Sequence, residues 1–226
     1  MLEAVRCRVM LRRVILRRVI LAGHRAIATD DLVSLLPQET QMPTSQPLEI
    51  LLATNRWATH NLIEACRDLP VDKFHQEFPL GPGSLHHTLL HILESMQHWT
   101  DVLAGREIRF EDDPGQPHPR MVGSFGIVYF GSALPDQQRT PQQLLELLSR
   151  IADDLESLAR SCPVDETVTW KTFEQSFTFT RGGVLTHVTT HGMHHRAQCL
   201  NMLRHVGVDP LPSSSVHDWM MAVDCS

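Results

Sequence analysis

Residues 185–207 read LTHVTTHGMHHRAQCLNMLRHVG and hold five of the chain's fourteen histidines within a helical repeat. At about 100° per residue, Val184, Leu185, Val188, Gly192, Cys199, Met202, Leu203 and Val206 gather into one apolar stripe. His191 and His195 fall inside it, His187 and His194 at or beyond its edge, and His205 well outside. Imidazoles four residues apart stack one turn apart on the same face. A nitrogen from a facing helix would then complete a metal site. A plainer reading stands beside this one: two core histidines bonded to each other and to buried water. HxxxH is too short a pattern to choose between them. Burial cost favours the metal, because two titratable rings are expensive to bury without strong partners and one ion satisfies both. Cys199 is a soft donor by spacing, or a small core residue as buried cysteines usually are.

Working outward, Gly207 reads as the left-handed stop of this helix. Upstream, 167–180 alternates through Val168, Trp170, Phe177 and Phe179 and predicts a short hairpin. Thr140-Pro141-Gln142-Gln143 is a capping box with proline at the first helical position. The helix it opens runs to about Arg160, with Leu144, Leu148, Ile151, Leu155 and Leu158 inward. Residues 105–139 are too rich in Gly, Pro and Asp, and too long, for a turn. They read as a crossover that carries the single tyrosine, Tyr129, and acts as lid or strap.

Gly81-Pro82-Gly83-Ser84 caps a helix from Leu85 to about Ala104 that bears His86, His87, His91 and His98. Apolar residues cover most of its circumference, so periodicity does not select among these; His87/His91 and Glu94/His98 both have ligating spacing. A first long helix is signalled by Thr44, Ser45 and Pro47, runs to about Leu69 and is stopped by Pro70. Its stripe of Leu51, Ala58, Leu62, Ala65 and Leu69 includes Asn55, either an interhelix clamp or a pocket residue. After Pro212 a short tail with Trp219 packs back on the body. These elements predict an all-α fold: a four-helix bundle with a long crossover between helices two and three and a small hairpin before helix four. Helices two and four can then be neighbours.

The chain has 226 residues, 42% of them hydrophobic, and a net charge of −6. That suits one globular domain with an appendage. No Lys/Arg block follows residue 25, which argues against nucleic acid as partner. Cys7, Cys66, Cys162, Cys199 and Cys225 form no CxxC pair, so a reducing, cytoplasmic setting without disulfides is expected. Residues 1–41 differ from the rest. They repeat RRVIL and use Arg without Lys, and charge interrupts them too often for stable membrane insertion. A surface helix, a presequence and sequence ahead of the true start all compete. The break at Met42 favours the last. We therefore expect 1–41 to be a poorly ordered arginine-rich extension and 42–226 to be the bundle. A chain begun at Met42 should keep its fold and its metal; a large drop in its thermal midpoint would contradict this.

Three stretches give the chain a resemblance to the DinB/YfiT-like superfamily of metal-binding four-helix bundles. They are Asn55-Arg56-Trp57, His91 followed by Trp99 in LLHILESMQHW, and HVTTHGMHHRAQ at 187–198. The resemblance spans about residues 47–210, and the last stretch is similar to the family's histidine-rich ending through His191, His195, Arg196 and Gln198. It implies a three-histidine divalent-metal site at His91, His191 and His195; for His91 the resemblance alone makes the choice. Ala197 stands where the family often has glycine, Thr59 and His60 stand near where many members carry Asn, and the leader has no counterpart.

Three imidazoles leave coordination positions open for water or substrate, the mark of a reactive site, and Zn or Ni suits them best. The resemblance implies a thiol-dependent S-transferase or isomerase that uses a low-molecular-weight thiol. A metal-dependent hydrolase and a non-enzymatic metal-binding stress-response module are the alternatives. No carboxylate or lysine stands out as a general base, which ranks hydrolysis lower. Asn55 and Gln198 are the expected pocket residues. Gln198 orients a ligand imidazole or a bound water, and Arg196, about 100° further round, anchors a neighbouring element. The expected partners are a small-molecule substrate and, in a homodimer, a second copy of the chain.

Overall fold

The computed structural model describes residues 46–106, 120–122, 128–130, 139–171 and 176–224. The arginine-rich segment 1–41 lies outside the described residues, as does most of the crossover. The first helix, α1 (Pro47–Ala65), has proline at its start, where the missing N–H costs nothing. Its N-cap is Gln46, without a side-chain cap bond, rather than Thr44 or Ser45. It also ends four residues before Leu69. The residue preceding a proline is disfavoured in helical geometry, so the chain turns through Cys66–Leu69, and Pro70 opens a short helix, α2 (Val71–Phe74). The buried face of α1 is correspondingly offset: Leu52 and Ile63 are in the core, while Leu51 and Leu69 are only partly covered.

Helix α3 (Leu85–Ala104) begins where Ser84 accepts a hydrogen bond from the His87 N–H, and Gly105 closes it at φ +64°. Two strands in the crossover, β1 (Arg120–Val122) and β2 (Val128–Phe130), pair antiparallel with Tyr129 opposite Met121. Alternation too short to register in the sequence hid this ribbon. Helix α4 (Pro141–Ser161) starts with the Thr140–Gln143 capping box. The hairpin is present as β3 (Thr167–Lys171) and β4 (Ser176–Thr180). Thr180 ends the hairpin and also caps α5 (Arg181–His205), accepting from the Gly183 N–H. Gly207, at φ +93°, terminates that helix. The tail forms a helix, α6 (Val216–Asp224), whose Trp219 is buried and which packs on α1.

Around the bundle the order is α1, α4, α3, α5, each helix packed on its two neighbours. Helices α3 and α5 run antiparallel, because Arg181 at the start of α5 donates to the Leu103 carbonyl at the end of α3, 3.0 Å away. Helices α3 and α4 run parallel: the Arg139 N–H bonds His86 Nε2 near both starts at 3.1 Å, and Arg106, just past α3, pairs with Asp154 of α4. Parallel neighbours need a long connection, which is the structural reason for the crossover. Leu62, Leu89, Leu93, Leu148, Leu155 and Leu185 form the middle of the core. Burying each such side chain contributes about 1.5–3 kcal/mol. Among the described residues, no helix is long and apolar enough to cross a membrane.

Candidate metal centre

The seam between α3 and α5 brings His91 together with His191 and His195. Each offers a nitrogen, and the three nitrogens lie within 4.8 Å of one another. His91 Nε2 and His191 Nε2 are 3.2 Å apart, and the ring centres of His91 and His191 stand 4.6 and 4.4 Å from that of His195. Two nitrogens on one tetrahedral ion at roughly 2.0–2.1 Å sit about 3.3 Å apart, so the donor set and spacing fit a divalent ion. His87, one turn before His91 on α3, instead turns outward towards Glu77, 3.7 Å away. His86 is buried under Phe74 and His75, and His98 packs on Trp99 and Trp170.

A ligating imidazole must present a lone pair, and its other nitrogen decides which. His195 Nδ1 is 2.8 Å from Gln198 Oε1. A carbonyl oxygen only accepts, so Nδ1 carries the proton and Nε2 is left bare for the site. The amide nitrogen of Gln198 lies 3.1 Å from His194 Nε2 and donates to it.

Burial, then the neighbouring His195 ring, lowers the pKa of His91 to about 4. The same effects, together with His91, His187 and His194, lower that of His191 to about 3. Burial chiefly lowers that of His195, against the raising effect of its bond to Gln198. All three rings are therefore neutral near pH 7, the form that binds metal. Outside the cluster, burial first and then neighbouring charges take His86 to about 4. The unfolded chain thus binds more protons than the folded one below the ordinary value of 6.5. Stability of the metal-free protein is fully present above that pH and is lost as pH falls towards 4. Thermal midpoints measured across pH 4–8 should decline progressively below about 6.5; a flat profile would contradict these burial costs.

Most of the expected stripe on α5 is buried: Val184, Leu185, Val188, Gly192, Cys199, Met202 and Leu203. Its centre runs through Gly192, Arg196 and Cys199, while His191 and His195 lie half-buried on its rim. Arg196 anchors a neighbouring helix, as expected, but from within the core. It is 4% exposed, and its Nη1 donates to Asn55 Oδ1 and, at 3.3 Å, to Thr59 Oγ1, both on α1. Asn55 Nδ2 in turn donates to Met96 Sδ at 3.5 Å. Both ends of the Asn55 amide therefore serve an interhelix clamp. Glycine at 192 makes the clamp possible, since a Cβ there would overlap Asn55 Oδ1 and lie 2.8 Å from Arg196 Nη1. A long cation can sit at the centre of the stripe because it is hydrogen-bonded there. His191 and His195 occupy the half-buried rim.

Two groups beside the cluster are not marked as site residues by the sequence. His187 and Trp99 continue the seam: their rings are 5.3 Å apart, and the His187 ring is 5.5 Å from that of His191. The i, i+4 spacing of His187 and His191 was the available signal. Gly81 backs directly onto the Gln198 amide, but a glycine just before a helix reads first as a cap signal. Cys199 is buried, and burial raises its thiol pKa well above the ordinary value, so it sits there as a thiol in the core.

The model of the DinB family matches residues 42–221, so the chain belongs to the DinB family. Among solved structures, it is similar to a DinB-like protein of Bacillus subtilis, YjoA, at 15% identity and a TM-score of 0.49, covering 75% of this chain and 98% of that one. No curated protein matches the sequence.

Proposed function

We propose that this DinB-family chain binds one divalent metal ion, Zn or Ni, through His91, His191 and His195, and uses it in a thiol-dependent S-transfer or isomerisation. The observation that carries the reading is the meeting of three neutral imidazoles from two helices, with the Nε2 atoms of His91 and His191 3.2 Å apart. A bound divalent ion would supply positive charge that favours the thiolate of a low-molecular-weight thiol. The chain's own residues do the rest. His91 from α3 and the His191/His195 pair from α5 would hold the ion between the two helices. Gln198 holds the His195 ring with Nε2 bare. The rings of His187 and Trp99 continue the seam on the N-terminal side of α5 and would offer the electrophile an aromatic surface. Among the described residues, His187, His194 and Gln198 lie against the three imidazoles.

The test is consumption of a small thiol in the presence of monobromobimane, comparing metal-loaded with chelator-treated protein. Turnover above the uncatalysed rate, lost on metal removal and restored by Zn or Ni, is the expected result. Metal binding without turnover would instead identify a non-enzymatic metal-binding module.

A further inference from the structure

We infer that Gly81 is a positioning residue of the metal centre. By lacking a side chain it leaves the room in which the Gln198 amide reaches His195 and fixes which ring nitrogen is free to ligate. The inference rests on the three-histidine reading and adds a second layer to it.

The loop is fixed from both sides. The Leu80 N–H bonds the Phe78 carbonyl at 2.8 Å, and the Gly83 N–H bonds the Leu80 carbonyl at 3.1 Å. Phe78 and Leu80 pack against the core, and the Phe78 ring lies 6.0 Å from His205 near the end of α5. Gly81 has φ +57°, and a Cβ on it would coincide with Gln198 Oε1 and lie 2.8 Å from Gln198 Cδ. Only a residue without a side chain lets the loop close on that amide.

The orientation of the amide matters because its two ends have opposite chemistry. With Oε1 towards His195, the Nδ1 proton is held and Nε2 keeps its lone pair. Turned over, the amide N–H would face Nδ1, the proton would move to Nε2, and the ring could not ligate from that nitrogen. His194 Nε2, accepting from the amide nitrogen at 3.1 Å, favours the first orientation. Gly81 contributes by leaving that amide room beside His195, where a Cβ would stand in its place.

Gly81→Ala separates this role from a structural one. The atoms a new methyl meets are the far end of a flexible side chain, so the bundle survives while Gln198 is pushed off His195. Gly105→Ala is the control. Gly105 has nearly the same backbone, φ +64°, with nothing within 4 Å of its Cβ position, so it reproduces the backbone strain without the contact.

The experiment is Co²⁺ titration of wild type, Gly81→Ala, Gly105→Ala, Gln198→Ala and the Gly81→Ala/Gln198→Ala double variant, followed by visible absorption. In parallel, ¹⁵N shifts of the His195 ring in the metal-free proteins report which nitrogen holds the proton. Gly81→Ala and Gln198→Ala should each lose about 10- to 100-fold in affinity, as outer partners of ligands do. Gly105→Ala should bind as wild type, and the double variant should lose no more than Gln198→Ala alone. The ring should be Nδ1-protonated in wild type and shift towards Nε2 in Gly81→Ala. The inference is overturned by equal losses in Gly81→Ala and Gly105→Ala, by additive losses in the double variant, or by an unchanged tautomer. If wild type binds no Co²⁺, the three-histidine reading fails, and the tautomer comparison still decides the role of Gly81.

Discussion

His91→Ala is expected to abolish stoichiometric binding of a divalent metal while the bundle still folds. His91 is the one nitrogen that α3 contributes to the cluster, and the remaining pair on α5 cannot enclose an ion. Loss of an outer hydrogen-bond partner costs about 10- to 100-fold in affinity, so loss of a ligand should exceed about 100-fold. Competition with a chromophoric chelator measures it. His87→Ala is the matched control, one turn away and turned towards Glu77, and should bind as wild type. An affinity for His91→Ala within a few-fold of wild type, or an equal loss in His87→Ala, would contradict the assignment.

Arg196→Ala should do the reverse, costing stability and sparing the metal site. The guanidinium is buried and bonded to Asn55 and Thr59 of α1. Burial lowers its pKa to about 10, which still leaves it charged at neutral pH. Truncation leaves the buried Asn55 oxygen without its donor and removes the packed stem, together costing about 3 kcal/mol. For a chain of this size that lowers the thermal midpoint by on the order of 10 °C. Metal affinity per folded molecule should stay within a few-fold of wild type, because none of these contacts reaches a ligand. Replacing both partners, as Arg196→Met with Asn55→Leu, should recover part of the loss, since no polar group is then stranded. Unchanged stability with lost metal would reverse the roles assigned to Arg196 and Gln198.

Much of the bundle was legible because its local signals agree with its tertiary structure. The Thr140–Gln143 capping box, the Ser84 cap and the Gly207 stop each act within one turn of chain, and all three mark real helix ends. The end of α1 was misplaced because apolar residues continue to Leu69 after helical geometry has been lost before Pro70. The β1–β2 ribbon and the α6 helix are short, and packing rather than periodicity makes them.

At the site, the helical repeat singled out His191 and His195, and the family resemblance added His91. Periodicity could not choose on α3, where nearly the whole circumference is apolar. The repeat also left Arg196 off the stripe, because it counts arginine as polar and surface-seeking. Arg196 is buried through a hydrogen bond to Asn55, 141 positions away, a pairing that no local pattern records. Gly192 and Gly81 were illegible for the same reason, since what each makes room for comes from a distant part of the chain.

The most direct test of the three-histidine centre is X-ray absorption on the zinc-loaded protein at one equivalent per chain. The account predicts three imidazole nitrogens in the inner coordination shell at roughly 2.0–2.1 Å, with any further ligand a light atom from solvent, and no sulfur. A sulfur scatterer at roughly 2.3 Å, which would bring Cys199 out of the core, would contradict it, as would an inner shell with fewer than three imidazoles.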